Sequence, residues 1–176
     1  MPTISEVIKD DYARIKDAYR RIVNLSHEDG ETNNFIWSLA CYLLAEELLV
    51  TPTIKERVVK GSKTEERFCR DFMSIIEKLQ RLQAFDQIDE ESFMASLSAI
   101  WVDLEPHMEE VSTCLLKLEK TFTKSDSEAL AAKYLEVQRQ MGIRYADNGA
   151  TSRQSITTIL ETPLDNHRTE LLAKPV

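Results

Sequence analysis

Residues 93–118 constrain the fold most, because core-type side chains recur there with the period of one long α-helix. The spacing alternates between four and three residues, and the members of this stripe are Phe93, Leu97, Ile100, Leu104, His107, Val111, Cys114 and Leu118. A second stripe consists of Phe35, Leu39, Tyr42, Glu46 and Leu49. The two stripes place an imidazole and a carboxylate in apolar rows, and these two groups are what a functional interpretation has to explain.

The composition favours a single all-α domain. With 4 glycines and 5 prolines in 176 residues, the chain has little turn chemistry for many short strands. Its net charge of −8 argues against binding to nucleic acid, which requires a basic face. The sequence has no long uncharged apolar run and no leader-like N-terminus, so we expect no membrane segment. The 3 cysteines are predicted to be reduced thiols, which fits a cytoplasmic protein.

Helix start and stop signals divide the chain into long helices with short connections. Capping boxes are predicted at 3–6, 62–65 and 125–128, Pro52 is expected to end the second helix, and Gly142 the fifth. This pattern predicts an antiparallel up-down four-helix bundle with an extra C-terminal helix and a polar tail. We assign residues 1–146 to the bundle and 147–176 to the tail, whose apolar residues are expected to form short helical segments on the bundle.

Several segments resemble hemerythrin-like (HHE) domain proteins, most closely the fungal cytosolic type. These segments are 4–11, 35–40, 46–50 with Pro52, 76–79 and 104–110, and the resemblance spans about residues 3–141. It implies a helical bundle that holds two irons between its helices. The family's ligands are histidines on all four core helices together with carboxylates on the second and fourth.

Most of that ligand set is replaced in this sequence. The corresponding positions are, in chain order, Tyr12, Tyr42 with Glu46, Cys69 with Glu65 four residues before it, and His107 with Ser112 five residues after it. Only Glu46 and His107 match the family's ligands. Tyrosine is a poor substitute for imidazole as a ligand of ferrous iron, so an oxygen-carrying di-iron site is not expected.

The remaining polar groups permit three interpretations. The first is a pocket for a small organic molecule with no cofactor, in which Glu46 and His107 act as acid and base, flanked by Tyr12 and Tyr42 as donors, with Cys69 as a possible nucleophile. Such a site suits an isomerase, a dehydratase or a cyclase-type lyase, and fold analogy suggests fungal secondary metabolism. The second is a single iron or zinc held by Glu46, His107 and Cys69 with Glu65. The third is a non-catalytic binding or scaffold protein whose polar groups only satisfy one another.

Overall fold

The computed structural model describes residues 1–25, 29–84, 89–146 and 152–172, and within these ranges the regular structure is entirely helical. The elements in chain order are α1 Ile4–Leu25, α2 Asp29–Ala45, a π-helix at Glu46–Val50, α3 Thr51–Arg57, α4 Lys63–Ala84, α5 Glu90–Glu119, α6 Lys124–Tyr145, α7 Arg153–Glu161 and α8 Leu164–Leu172. The predicted all-α helical bundle is confirmed.

Four helices form the core of the bundle. α1 packs against α2 and α5, and α4 packs against α5 and α2, which closes a ring of neighbours. Since short connections join successive members, neighbouring helices run antiparallel. The buried side chains of all four point into one core, and the central stripe of α5 is buried from Leu97 to Leu118.

The additional helices cover the outside of this ring. α6 packs on α1 and α2, α7 on α2 and α4, and α8 on α6. Ile156, Ile159, Leu160 and Leu171 are buried, so the apolar residues of the C-terminal region do lie on the bundle as helical segments. The division at residue 146 stays a prediction.

The helix that begins with α2 does not end at Pro52 as predicted. It widens into the π-helix, in which the Thr51 N–H donates to the Glu46 carbonyl, and then continues as α3. Pro52 falls in the first turn of α3, directly after the π-helix, and it lacks the N–H that would continue the hydrogen-bond ladder. Gly30–Arg57 has the length and hydropathy of a membrane-spanning helix, but 72% of its apolar window is buried in the bundle, as in the core helix of a folded protein.

Of the three predicted capping boxes, the one at the start of α1 is present, and those of α4 and α6 differ from the prediction. The Thr3 and Glu6 box is present, with each side chain bonded to the other residue's backbone N–H. α6 is instead capped by Thr123 and Asp126, two residues ahead of expectation, and it runs past Gly142 to Tyr145. At the start of α4, Glu65 accepts from the backbone N–H of Gly61, whose φ of 71° closes the preceding turn.

Candidate functional site: a buried hydrogen-bonded cluster

Four of the predicted site residues meet inside the bundle. Tyr12 comes from α1, Tyr42 from α2, Glu46 from the first position of the π-helix and His107 from α5, and all four are buried. Tyr42 and Glu46 lie one helical turn apart and therefore point the same way. We call these four residues the central cluster.

Direct hydrogen bonds join the central cluster. His107 Nε2 lies 2.6 Å from Glu46 Oε1, and the Tyr42 hydroxyl donates to the other carboxylate oxygen, Oε2. The hydroxyls of Tyr42 and Tyr12 are 3.0 Å apart. Because the only O–H of Tyr42 donates its hydrogen bond to Glu46, Tyr12 is the donor in the contact between the two hydroxyls. Ser112 lies beside Tyr12 and hydrogen-bonds to its oxygen.

The charge on the central cluster follows from its neighbours. Burial, the largest single influence, lowers the pKa of His107, but the carboxylates of Glu46 and Asp71 outweigh it and raise that pKa to about 10. The imidazole is therefore a cation at neutral pH, paired with the Glu46 carboxylate. Burial, followed by the negative charge of Glu46, raises the pKa of Tyr12 well above its ordinary value, so this phenol keeps its proton.

Asp71 on α4 is a member of the site that the sequence analysis missed. Its Oδ2 lies 3.5 Å from His107 Nδ1, a nitrogen that is buried and has no well-aligned hydrogen bond of its own. The Asp71 side chain is 30% exposed and reaches a surface cleft between α4 and α5. It sits between Phe68 and Phe72, at the edge of an apolar stripe, where periodicity gives no signal for an acidic residue.

A second buried carboxylate, Asp11 of α1, was also not predicted as part of a site. One of its oxygens accepts from the Tyr134 hydroxyl at 2.7 Å and from Gln138 Nε2 at 2.8 Å, while the other pairs with Arg14. The sequence did hold a signal for it, because Ile8, Asp11 and Ile15 follow the spacing of an inward stripe.

Cys69 and Glu65 do not join the central cluster, contrary to the prediction. The Cys69 side chain is exposed on the outside of α4, next to buried Phe68. Cys69 had been assigned to the site because it falls at the position of a family ligand, and the structure places that position on the outer face of α4. Glu65 is partly exposed and its carboxylate caps Gly61, so neither residue can provide a nucleophile or a ligand beside His107.

Two cysteines and one further histidine are buried outside the central cluster. Cys41 and Cys114 are buried, as predicted, and burial raises the pKa of both thiols. His167 of α8 was missed as a buried histidine: its Nε2 lies 2.9 Å from the Ile159 carbonyl and its Nδ1 3.2 Å from the Tyr145 hydroxyl.

Comparison with known proteins adds one relative. A protein of the fission yeast Schizosaccharomyces pombe, named as an uncharacterized hemerythrin-like protein, is 24% identical over 139 residues, which cover 76% of this chain and 68% of the relative. The predicted resemblance to fungal hemerythrin-like proteins is confirmed. No protein-family model matches the chain, and no solved structure matches it.

The donor groups of this bundle do not fit the pair of irons that the resemblance to hemerythrin-like proteins implies. Across the described ranges, no three His, Cys, Asp or Glu side chains are grouped so that they could hold a metal ion. The two matching ligand residues, Glu46 and His107, bond to each other at 2.6 Å and leave no space for an ion between them. The single-metal alternative fails the same test, because Cys69 and Glu65 point elsewhere. That the protein works without a cofactor stays a prediction.

Proposed function

We propose that this hemerythrin-like protein is an acid–base catalyst for a small organic molecule, and that it works without iron. The substrate cannot lie inside the central cluster, since any molecule placed there would have to break the bonds among Tyr12, Tyr42, Glu46 and His107. The group that meets the substrate is Asp71, at the outer end of the line Glu46–His107–Asp71.

The observation that carries this proposal is that Asp71 connects a buried ion pair to an open cleft. The cleft has a volume of about 710 Å³. Two of its other carboxylates are already paired, Asp103 with Lys78 at 2.5 Å and Glu110 with Arg67. Among the described residues, Asp71 has only the imidazolium of His107 as a partner, so one of its oxygens is free to accept a proton from a ligand.

The arrangement suits proton transfer within one molecule. Asp71 removes a proton from a carbon next to a carbonyl group and returns it at another position, which is the chemistry of an isomerase, or of a dehydratase or cyclase when water or a ring bond is involved. His107 and Glu46 position Asp71 and keep a positive charge behind it. Arg70, on the rim of the same cleft, supplies a cation for an acidic substrate. The cytoplasmic location and the place in fungal secondary metabolism stay predictions.

Proton exchange in D₂O tests the proposal without knowledge of the natural substrate. The wild-type protein should accelerate exchange of the α-protons of enolisable probes such as pyruvate and dihydroxyacetone, followed by ¹H NMR. Asp71→Asn should abolish the acceleration, whereas Glu109→Gln, which removes a negative charge from the same cleft without touching His107, should keep it. No acceleration by wild type over this panel, or equal rates in wild type and Asp71→Asn, would refute the catalytic role of Asp71.

A second candidate function, a non-catalytic binding or scaffold protein, is favoured by the satisfied state of the central cluster. Glu46, Tyr42 and Tyr12 all have hydrogen-bond partners and are buried, which is what a purely structural network needs. In that case no variant of Asp71 changes a reaction rate, and the same exchange experiment separates the two functions.

A further inference from the structure

A second cleft lies between α1, α2 and α6, and it shares no lining residue with the α4–α5 cleft. Its volume is about 220 Å³, and its lining includes Asp11, Arg14, Trp37, Ser38 and Gln138. This volume is below the roughly 300–1,000 Å³ typical of sites for drug-sized molecules. The cleft is therefore sized for a small ligand.

The floor of this cleft is organised around the buried carboxylate of Asp11. An unpaired carboxylate at this depth would be costly, and Tyr134, Gln138 and Arg14 together compensate it. A leucine would fill the same position in the stripe of α1 without any such arrangement. The ion pair with Asp11 holds the Arg14 side chain at the mouth of the cleft.

Much of the hydrogen-bonding capacity around the cleft is unused. The Arg14 side chain is 67% exposed and contacts Asp11 through one terminal nitrogen, so its other N–H groups remain available. The Ser38 hydroxyl has no partner among the described residues. Gln138 uses its amide nitrogen on Asp11 and keeps its carbonyl oxygen free.

These free groups select one ligand chemistry. The planar fork of a guanidinium matches a carboxylate, and the Ser38 hydroxyl adds a further donor. Trp37 and Ile15 provide an apolar wall beside them. We propose that this cleft binds a small organic carboxylate, with its acid group on Arg14 and Ser38 and its apolar body against Trp37. This site is independent of the reaction proposed for Asp71.

Titration of the ¹⁵N-labelled full-length protein with sodium benzoate tests the site. The indole N–H of Trp37, assigned with Trp37→Phe, should shift in a saturable way. Arg14→Gln should weaken binding at least tenfold, while Arg20→Gln, which removes an exposed arginine of the same helix, should leave the affinity unchanged. Benzylamine and inorganic phosphate should bind at least tenfold more weakly than benzoate, since one lacks the negative charge and the other the apolar body.

Three results of the same titration would overturn the proposal. They are a benzoate response that does not saturate or does not reach Trp37, equal affinity in Arg14→Gln and wild type, and phosphate or benzylamine binding as tightly as benzoate. If Arg14→Gln fails to fold, as judged by circular dichroism, Ser38→Ala replaces it. That variant should weaken benzoate several-fold, and unchanged affinity in it contradicts the site.

Discussion

At the residue scale, the central finding is a buried ion pair between Glu46 and His107, the two residues that match the ligand types implied by the hemerythrin-like resemblance. Glu46 accepts from His107 and from Tyr42, so the carboxylate is satisfied from two helices. A buried pair of this kind adds little net stability compared with apolar residues, but removing one partner leaves the other without its nearest opposite charge. Substitution of Glu46 or His107 alone should therefore lower the free energy of unfolding.

The first prediction concerns Glu46→Gln. It should lower the free energy of unfolding by about 3–5 kcal/mol, because the His107 cation loses its buried counter-ion. Urea denaturation at pH 7 measures the change. Glu105→Gln, an exposed change on α5, should stay within about 0.5 kcal/mol of wild type. Equal effects of the two substitutions would mean that the pair is not formed.

The second prediction concerns pH. In the folded protein the pKa of His107 is raised to about 10, against an ordinary value of 6.5. The folded state therefore binds more protons between these two values, and the contribution of His107 is complete below pH 6.5 and lost as the pH rises toward 10. The free energy of unfolding should fall by up to roughly 1 kcal/mol per pH unit in this window.

Urea denaturation at several values between pH 7 and 9 measures this dependence in wild type and in His107→Gln. The difference in stability between the two proteins should shrink as the pH rises. Parallel curves would show that His107 is neutral in the folded protein, which contradicts the ion pair.

At the scale of single elements, the sequence predicted the long helices well and their ends less well. Apolar periodicity located the core stripes of α1, α2 and α5, because a long amphipathic helix repeats its signal many times. A cap depends on one local hydrogen bond, and here Thr123 and Asp126 compete with the equally suitable pattern at Ser125 and Glu128. The π-helix had no signal at all, since it depends on backbone register.

The third prediction tests which cap begins α6. Thr123→Ala should destabilise the protein by about 1 kcal/mol, because it removes the acceptor for the Asp126 N–H. Ser125→Ala should have no measurable effect, since the Ser125 side chain is exposed and caps no backbone group. Thermal or urea unfolding of the two variants measures the contrast, and the reverse order would restore the cap predicted from the sequence.

At the scale of the whole molecule, the fold and all four residues of the central cluster could be predicted from the sequence, but the surface clefts could not. Tyr12, Tyr42, Glu46 and His107 were found because each stands on an inward stripe or at a family ligand position. Asp71 was missed because a partly exposed residue at the edge of a stripe looks like any solvated acid. Cys69 was placed inward because it falls at the position of a family ligand, but the structure leaves its side chain exposed.

The positions of ligand sites could not be predicted from the apolar stripes alone. The sequence indicates which side chains enter the core, but whether they surround a space or bond to one another depends on distances of a few ångströms. Here the 2.6 Å contact between Glu46 and His107 closes the centre, and the open volumes lie at the surface, beside Asp71 and Arg14.

Metal content is the most direct test of the proposal that the protein works without iron because Glu46 and His107 bond to each other. The full chain, produced without an affinity tag in iron- and zinc-supplemented medium, should contain far less than one equivalent of any transition metal by elemental analysis, and a chelator should leave its unfolding midpoint unchanged. One or two equivalents of iron per chain, lost together with stability when the chelator is added, would contradict the account.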